Sequence, residues 1–107
     1  MEEILNNDIS GLKDKECLFL FYFTAKWCGP CKRVSPLIEK LSEGVDKTKV
    51  EFYKVDIDEN DTLASDLKIK SVPTFYLFKG NELLGQCSGD IIKVHKLLKD
   101  NMDNMDE

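Results

Sequence analysis

The chain has 107 residues, 42% hydrophobic and 33% charged, a profile that excludes a disordered segment and a membrane protein. Twenty acids against fifteen bases leave a net charge of −5, which argues against binding a phosphate backbone. A chain of this length builds its own core, so a disulfide scaffold is a poor explanation of its four cysteines.

No secretory signal or basic transit peptide is read in the first residues. The longest apolar run, Cys17 to Phe23, has seven residues, far short of the ~20 needed to cross a bilayer. We expect one cytoplasmic domain over 1–107, monomeric, without nucleic acid or a membrane as partner. Residues 101–107 read as a flexible acidic tail.

Along the chain, Glu3 to Asn6 reads as a short edge strand and Asn7 to Lys13 as a weak helix interrupted by Gly11. Cys17 to Phe23 is continuously apolar and aromatic-rich, the pattern of a central strand buried on both faces. From Pro30, the spacing of Val34, Leu37, Ile38 and Leu41 predicts an amphipathic helix ending near Gly44 and kinked at Pro36. Val50 to Ile57 is a second strand. Asp58, Asn60 and Asp61 then offer N-cap oxygens to a short helix reaching about Leu67.

After Pro73, Thr74 to Phe78 is a third strand, and Gly80-Asn81 turns the chain into Leu83 to Ser88. Gly89 ends that strand, and Asp90 can cap a last helix with an apolar stripe of Ile91, Val94, Leu97 and Leu98. The order predicts an α/β fold. A central mixed sheet of four or five strands is flanked by helices on both faces.

The chemistry lies in Trp27-Cys28-Gly29-Pro30-Cys31-Lys32, where a buried strand gives way to a helix. Two thiols separated by two residues in a helical turn can close a disulfide with little backbone movement. Cys28, at the helix start, faces free backbone N–H groups and the positive end of the macrodipole, which favour its thiolate. Cys31 lies one turn deeper. Cys28 is therefore the candidate nucleophile and Cys31 the candidate resolving thiol. Pro30 presets the first turn. A zinc site would need a second pair of ligands, and Cys17, Cys87 and His95 stand at unrelated spacings, so no metal is expected.

This run, with much of the chain from Ile4 to Leu98, resembles the thioredoxin family. The resemblance implies the thioredoxin fold, with Pro36 matching the family's helix-kinking proline and Val72-Pro73-Thr74 its cis-proline loop. It also implies a docking surface of Trp27, Gly29, Pro30, Ile57, Val72, Pro73 and Gly89. The implied activity is reduction of disulfides in target proteins through a mixed disulfide. Electrons would come from NADPH through a flavin-dependent thioredoxin reductase, with no cofactor in the chain itself. Gly29-Pro30 between the cysteines resembles the reducing members, which disfavours an oxidase or isomerase of a secretory compartment.

One position departs from the family. A buried Asp usual there is Tyr22, while the accompanying lysine is Lys54. A phenol with a pKa of about 10 is a poor base near neutrality. Either Cys31 resolves more slowly, using solvent or Lys54, or Tyr22 simply packs in its strand. The same departure leaves room for a rival function, a weakly catalytic or non-catalytic binding or chaperone module using the same groove. Lys26 and Asp90 add charge around that groove. Cys17 and Cys87 read as small buried hydrophobes, with a regulatory thiol the lesser reading and Cys87 its better candidate; His95, among lysines, reads as surface.

Overall fold

The structure is a computed structural model that describes residues 1–105. Its strands are β1 (Glu2–Glu3), β2 (Leu18–Thr24), β3 (Val50–Asp56), β4 (Thr74–Lys79) and β5 (Glu82–Ser88). The helices are α1 (Gly29–Gly44), α2 (Asp61–Asp66) and α3 (Ile91–Met105), with a 3-10 turn at Leu12–Asp14. The strands form one sheet in the order β1-β3-β2-β4-β5. β3 runs parallel to both β1 and β2, whereas β4 is antiparallel to β2 and to β5. The α1 crossover imposes the parallel β2–β3 pair, and the Gly80-Asn81 turn imposes the hairpin. This is the thioredoxin fold expected from the sequence.

Every residue of β2 is buried, and alternation divides its side chains between two cores. Leu18, Leu20 and Tyr22 face α1 and α3 with Val34, Ile38, Val94 and Leu98. Phe19, Phe21 and Phe23 face the α2 side with Tyr53, Val55 and Leu63. The parallel register pairs Tyr22 with Lys54 and Thr24 with Asp56. The functional end of the sheet is thus polar on the face beneath the start of α1. Among the described residues no helix is long and apolar enough to cross a membrane.

Three local expectations are corrected. Asn7 to Lys13 is not a helix: Asn6 and Asn7 have φ of 53° and 59° and Gly11 has 86°, left-handed values that no α-helical run tolerates. The edge strand is Glu2–Glu3, extended by a hydrogen bond from Ile4 N to Lys54 O at 2.9 Å. Asn60 stands at the N-cap of α2 without capping it. Its side chain is fully buried, donating to Ile4 O and Asp56 O while its Oδ1 accepts from Asn7 N. Asn7 Oδ1 in turn accepts from Leu63 N at 2.9 Å, so a residue 56 positions away serves the helix start.

The expected tail is helical through Met105, with Asn101 Nδ2 donating to Leu97 O at 2.8 Å and Met102 packed on the α1–α3 core. Asp106 and Glu107 lie outside the described residues. At the other end of α3, Asp90 acts as expected, its Oδ1 accepting from Lys93 N at 3.1 Å.

Candidate active site

Cys28 is the N-cap residue of α1, and its Sγ accepts a hydrogen bond from Cys31 N at 3.2 Å. The sulfur occupies the place that a Ser or Asp oxygen takes in an ordinary cap, so charge on it meets a backbone donor and the helix dipole together. Gly29 and Pro30 are the first two residues of the helix and are exposed. Pro30 thereby removes a donor that has no partner within the helix. Cys28 and Cys31 are joined in a disulfide with Cα atoms 5.2 Å apart. Both are buried, Cys31 the more deeply.

Ala25, Cys28 and Cys31 form a small apolar cluster against which Ile57 and Val72 pack. Cys28 Sγ lies 3.6 Å from Val72 O, within reach of S–H donation once the disulfide is reduced. The Val72–Pro73 bond is cis. The loop is tied on both sides: Thr74 Oγ1 donates to Ser71 O at 2.7 Å, and Gly89 N donates to Pro73 O at 3.2 Å. Gly89 has a φ of 97°, a backbone conformation that favours glycine. Trp27 is 67% exposed, and its Nε1 donates to Asp58 Oδ2 at 3.0 Å. The residues expected to form the docking surface therefore surround one end of the sheet. Asp58, expected from the sequence as an N-cap candidate for α2, holds the indole instead.

Beneath α1, Tyr22 is fully buried and stacked on Phe75, ring centroids 5.1 Å apart. Its hydroxyl donates to Cys31 O at 3.2 Å and lies 2.7 Å from Ser35 Oγ. The side chain thus packs in its strand and also holds the first turn of α1. A cavity of about 510 Å³ opens beside it, lined by Cys31, Ser35, Lys54, Asp56 and Glu59 among others. Lys54 reaches this cavity with its ammonium 3.9 Å from the Glu3 carboxylate. Ser35 and Asp56 carried no sequence signal, because each becomes informative only when the register is known.

Cys17 precedes β2 and Cys87 lies in β5; both are free and half-buried. Cys87 packs on the α1–α3 core, as expected of a small hydrophobe. Burial pushes both thiols above their ordinary value. His95 is exposed on α3. Lys26 is engaged by Glu59 at 3.3 Å.

A family model described as thioredoxin matches residues 5–104. Thioredoxin O1, mitochondrial, of Arabidopsis thaliana is 42% identical over 101 residues, which cover 92% of this chain. The chain spans about half of that relative's length, 51%. A thioredoxin of Ictalurus punctatus is 39% identical over 88 residues, 81% of this chain and 82% of the relative. Among solved structures, the reduced thioredoxin pre-protein of Schistosoma mansoni superposes with a TM-score of 0.84 at 36% identity, covering 94% of this chain and 98% of that one. With the Cys28–Cys31 pair closed at the head of α1 on the matching fold, the chain belongs to the thioredoxin family.

Proposed function

We propose that the chain reduces disulfides in other proteins, with Cys28 as nucleophile and Cys31 as resolving thiol. The observation that carries this reading is the Cys28 sulfur at the N-cap of α1, bonded by Cys31 N. In the reduced protein the Cys28 thiolate attacks one sulfur of the target disulfide. That S–S bond breaks, the leaving thiolate takes a proton, and Cys28 is left in a mixed disulfide. Cys31 then loses its proton and attacks Cys28 Sγ, releasing the second target sulfur, which is protonated in turn. One target disulfide gains two electrons from the Cys28–Cys31 pair and two protons from solvent, which receives one from Cys28 as its thiolate forms and one from Cys31.

Trp27, Gly29, Pro30, Ile57, Val72, Pro73 and Gly89 form the surface on which an extended target segment lies, much as a strand docks on a sheet edge. Tyr22 positions Cys31 by donating to its carbonyl. The Cys31 proton leaves to solvent through the cavity it shares with Lys54. The reading carries with it a cytoplasmic monomer without a cofactor of its own, re-reduced by a thioredoxin reductase that passes electrons from NADPH through flavin.

The test is insulin reduction with NADPH and a thioredoxin reductase, for the wild type and for Cys31→Ser. Catalytic turnover by the wild type and a trapped Cys28 mixed disulfide in Cys31→Ser are expected. Absence of turnover, with partner binding kept in Cys28→Ser/Cys31→Ser, would overturn the reading in favour of a binding module.

A further inference from the structure

The loop that carries Val72 and Pro73 has a second wall. α2 ends at Asp66 with Leu67 as its C-cap, and Lys68, with a φ of 57°, turns the chain back toward β4. Lys68 N and Ile69 N donate to Ser65 O and Ala64 O at 3.0 and 2.9 Å, and the Tyr76 hydroxyl donates to Leu67 O at 3.0 Å. These bonds fix the 67–71 segment beside the β4–β5 hairpin. Between them lies a cavity of about 350 Å³, lined by Lys68, Lys70, Ser71, Thr74, Gln86 and Ser88 among others.

No carboxylate among the described residues lines this cavity. Lys68 and Lys70 are exposed and form no ion pair among the described residues, whereas Lys15, Lys26, Lys54 and Lys96 are each held by a carboxylate. The cavity neighbours the docking surface along the chain: Ser71 directly precedes Val72 and Ser88 directly precedes Gly89. On the opposite flank Asp58 holds the Trp27 indole. The cis-proline flank of the docking face therefore presents two lysines without a carboxylate partner, with Asp90 one residue beyond Gly89, while the tryptophan flank holds Asp58 beside the Lys26–Glu59 pair.

We propose that Lys68 and Lys70 are specificity residues that select protein targets with Asp or Glu side chains flanking the disulfide to be reduced. This rests on the disulfide-reductase reading above. A target strand lying along Val72 carries its flanking residues past Lys70 and into the cavity, where two ammonium groups and the hydroxyls of Ser71 and Ser88 can receive carboxylates. The net charge of −5 opposes acidic partners at long range. Screening over about 8 Å at physiological ionic strength leaves the local lysines in control at contact.

The test uses three peptides with the same disulfide flanked by Asp, by Ser or by Lys. Pre-reduced protein is mixed with each in a stopped-flow instrument, and the second-order rate constant is followed through the fluorescence of Trp27, the chain's only tryptophan. Wild type is expected to reduce the Asp-flanked peptide about three- to tenfold faster than the Lys-flanked one, a gap that narrows with added salt. In Lys68→Glu/Lys70→Glu the order reverses, and Lys70→Glu alone moves it part of the way. Lys40→Glu/Lys99→Glu, an equal charge change on α1 and α3, keeps the wild-type order. Equal rates for all three peptides with wild type, or the same order in both double variants, would overturn the inference. Failure to reduce even the Ser-flanked peptide would instead overturn the reductase reading beneath it.

Discussion

Tyr22→Phe isolates one hydroxyl. The ring keeps its place in β2 and its stack on Phe75, while the contacts to Cys31 O and Ser35 Oγ are lost. A typical internal hydrogen bond contributes about 0.5–1.5 kcal/mol net, so two give about 1–3 kcal/mol. Two features lower that range. The Cys31 carbonyl lies in α1 and can also accept from the backbone four residues on, and Ser35 lines a cavity wide enough for water. The expected loss is about 1–2 kcal/mol, which lowers the melting temperature of a domain this size by about 4–15 °C.

Thermal melts of oxidised wild type, Tyr22→Phe, Ser35→Ala and the double variant complete a cycle, with an expected coupling of about 0.5–1.5 kcal/mol between the two hydroxyls. An unchanged or raised melting temperature in Tyr22→Phe, with no coupling, would show that the hydroxyl does not hold the first turn of α1.

Three further outcomes follow from the same structure. Tyr22→Asp places a carboxylate beneath Cys31 and should speed resolution of the mixed disulfide in stopped-flow exchange; an unchanged rate would deny Tyr22 any kinetic role. Asn60→Ala strands Ile4 O and Asn7 N together and should cost about 2–4 kcal/mol in urea unfolding, whereas a loss under about 1 kcal/mol would mean that this junction is not structural. Burial raises the Cys17 and Cys87 thiols, so the folded chain keeps those protons at pH values where the unfolded chain has released them. Alkylation of the native oxidised protein should therefore be slow at neutral pH and quicken as pH rises, and stability should fall across that rise. Rapid labelling of Cys87 at neutral pH would revive a regulatory role for it.

The fold was legible where a single element carries its own pattern. Buried β2, the α1 stripe (apart from Leu37, which the structure leaves exposed) and the dithiol at their junction are all local features. The contacts that complete the site are not. Tyr22 and Ser35 are 13 residues apart and Asn7 and Leu63 are 56 apart, and no local periodicity links either pair. Asn60 illustrates the difficulty: a good N-cap residue in the right place gives its side chain to Ile4, Asn7 and the end of β3, because burying Ile4 O and Asn7 N unsatisfied there would cost more than a six-residue helix without a cap of its own. The C-terminal acids suggested fraying, yet Met102 and Asn101 anchor the last turns of α3. The Lys68–Lys70 flank depends on a left-handed residue that the sequence does not announce.

The central claim is that the N-cap geometry makes Cys28 the reactive thiol. It is tested most directly by reducing the protein, alkylating with limiting iodoacetamide from acid to alkaline pH, and locating the modified residue by mass spectrometry. Modification confined at first to Cys28, with a rate midpoint well below the ordinary thiol value of about 8.5, is the predicted result. Equal labelling of Cys28 and Cys31, or a midpoint at or above the ordinary value, would contradict it.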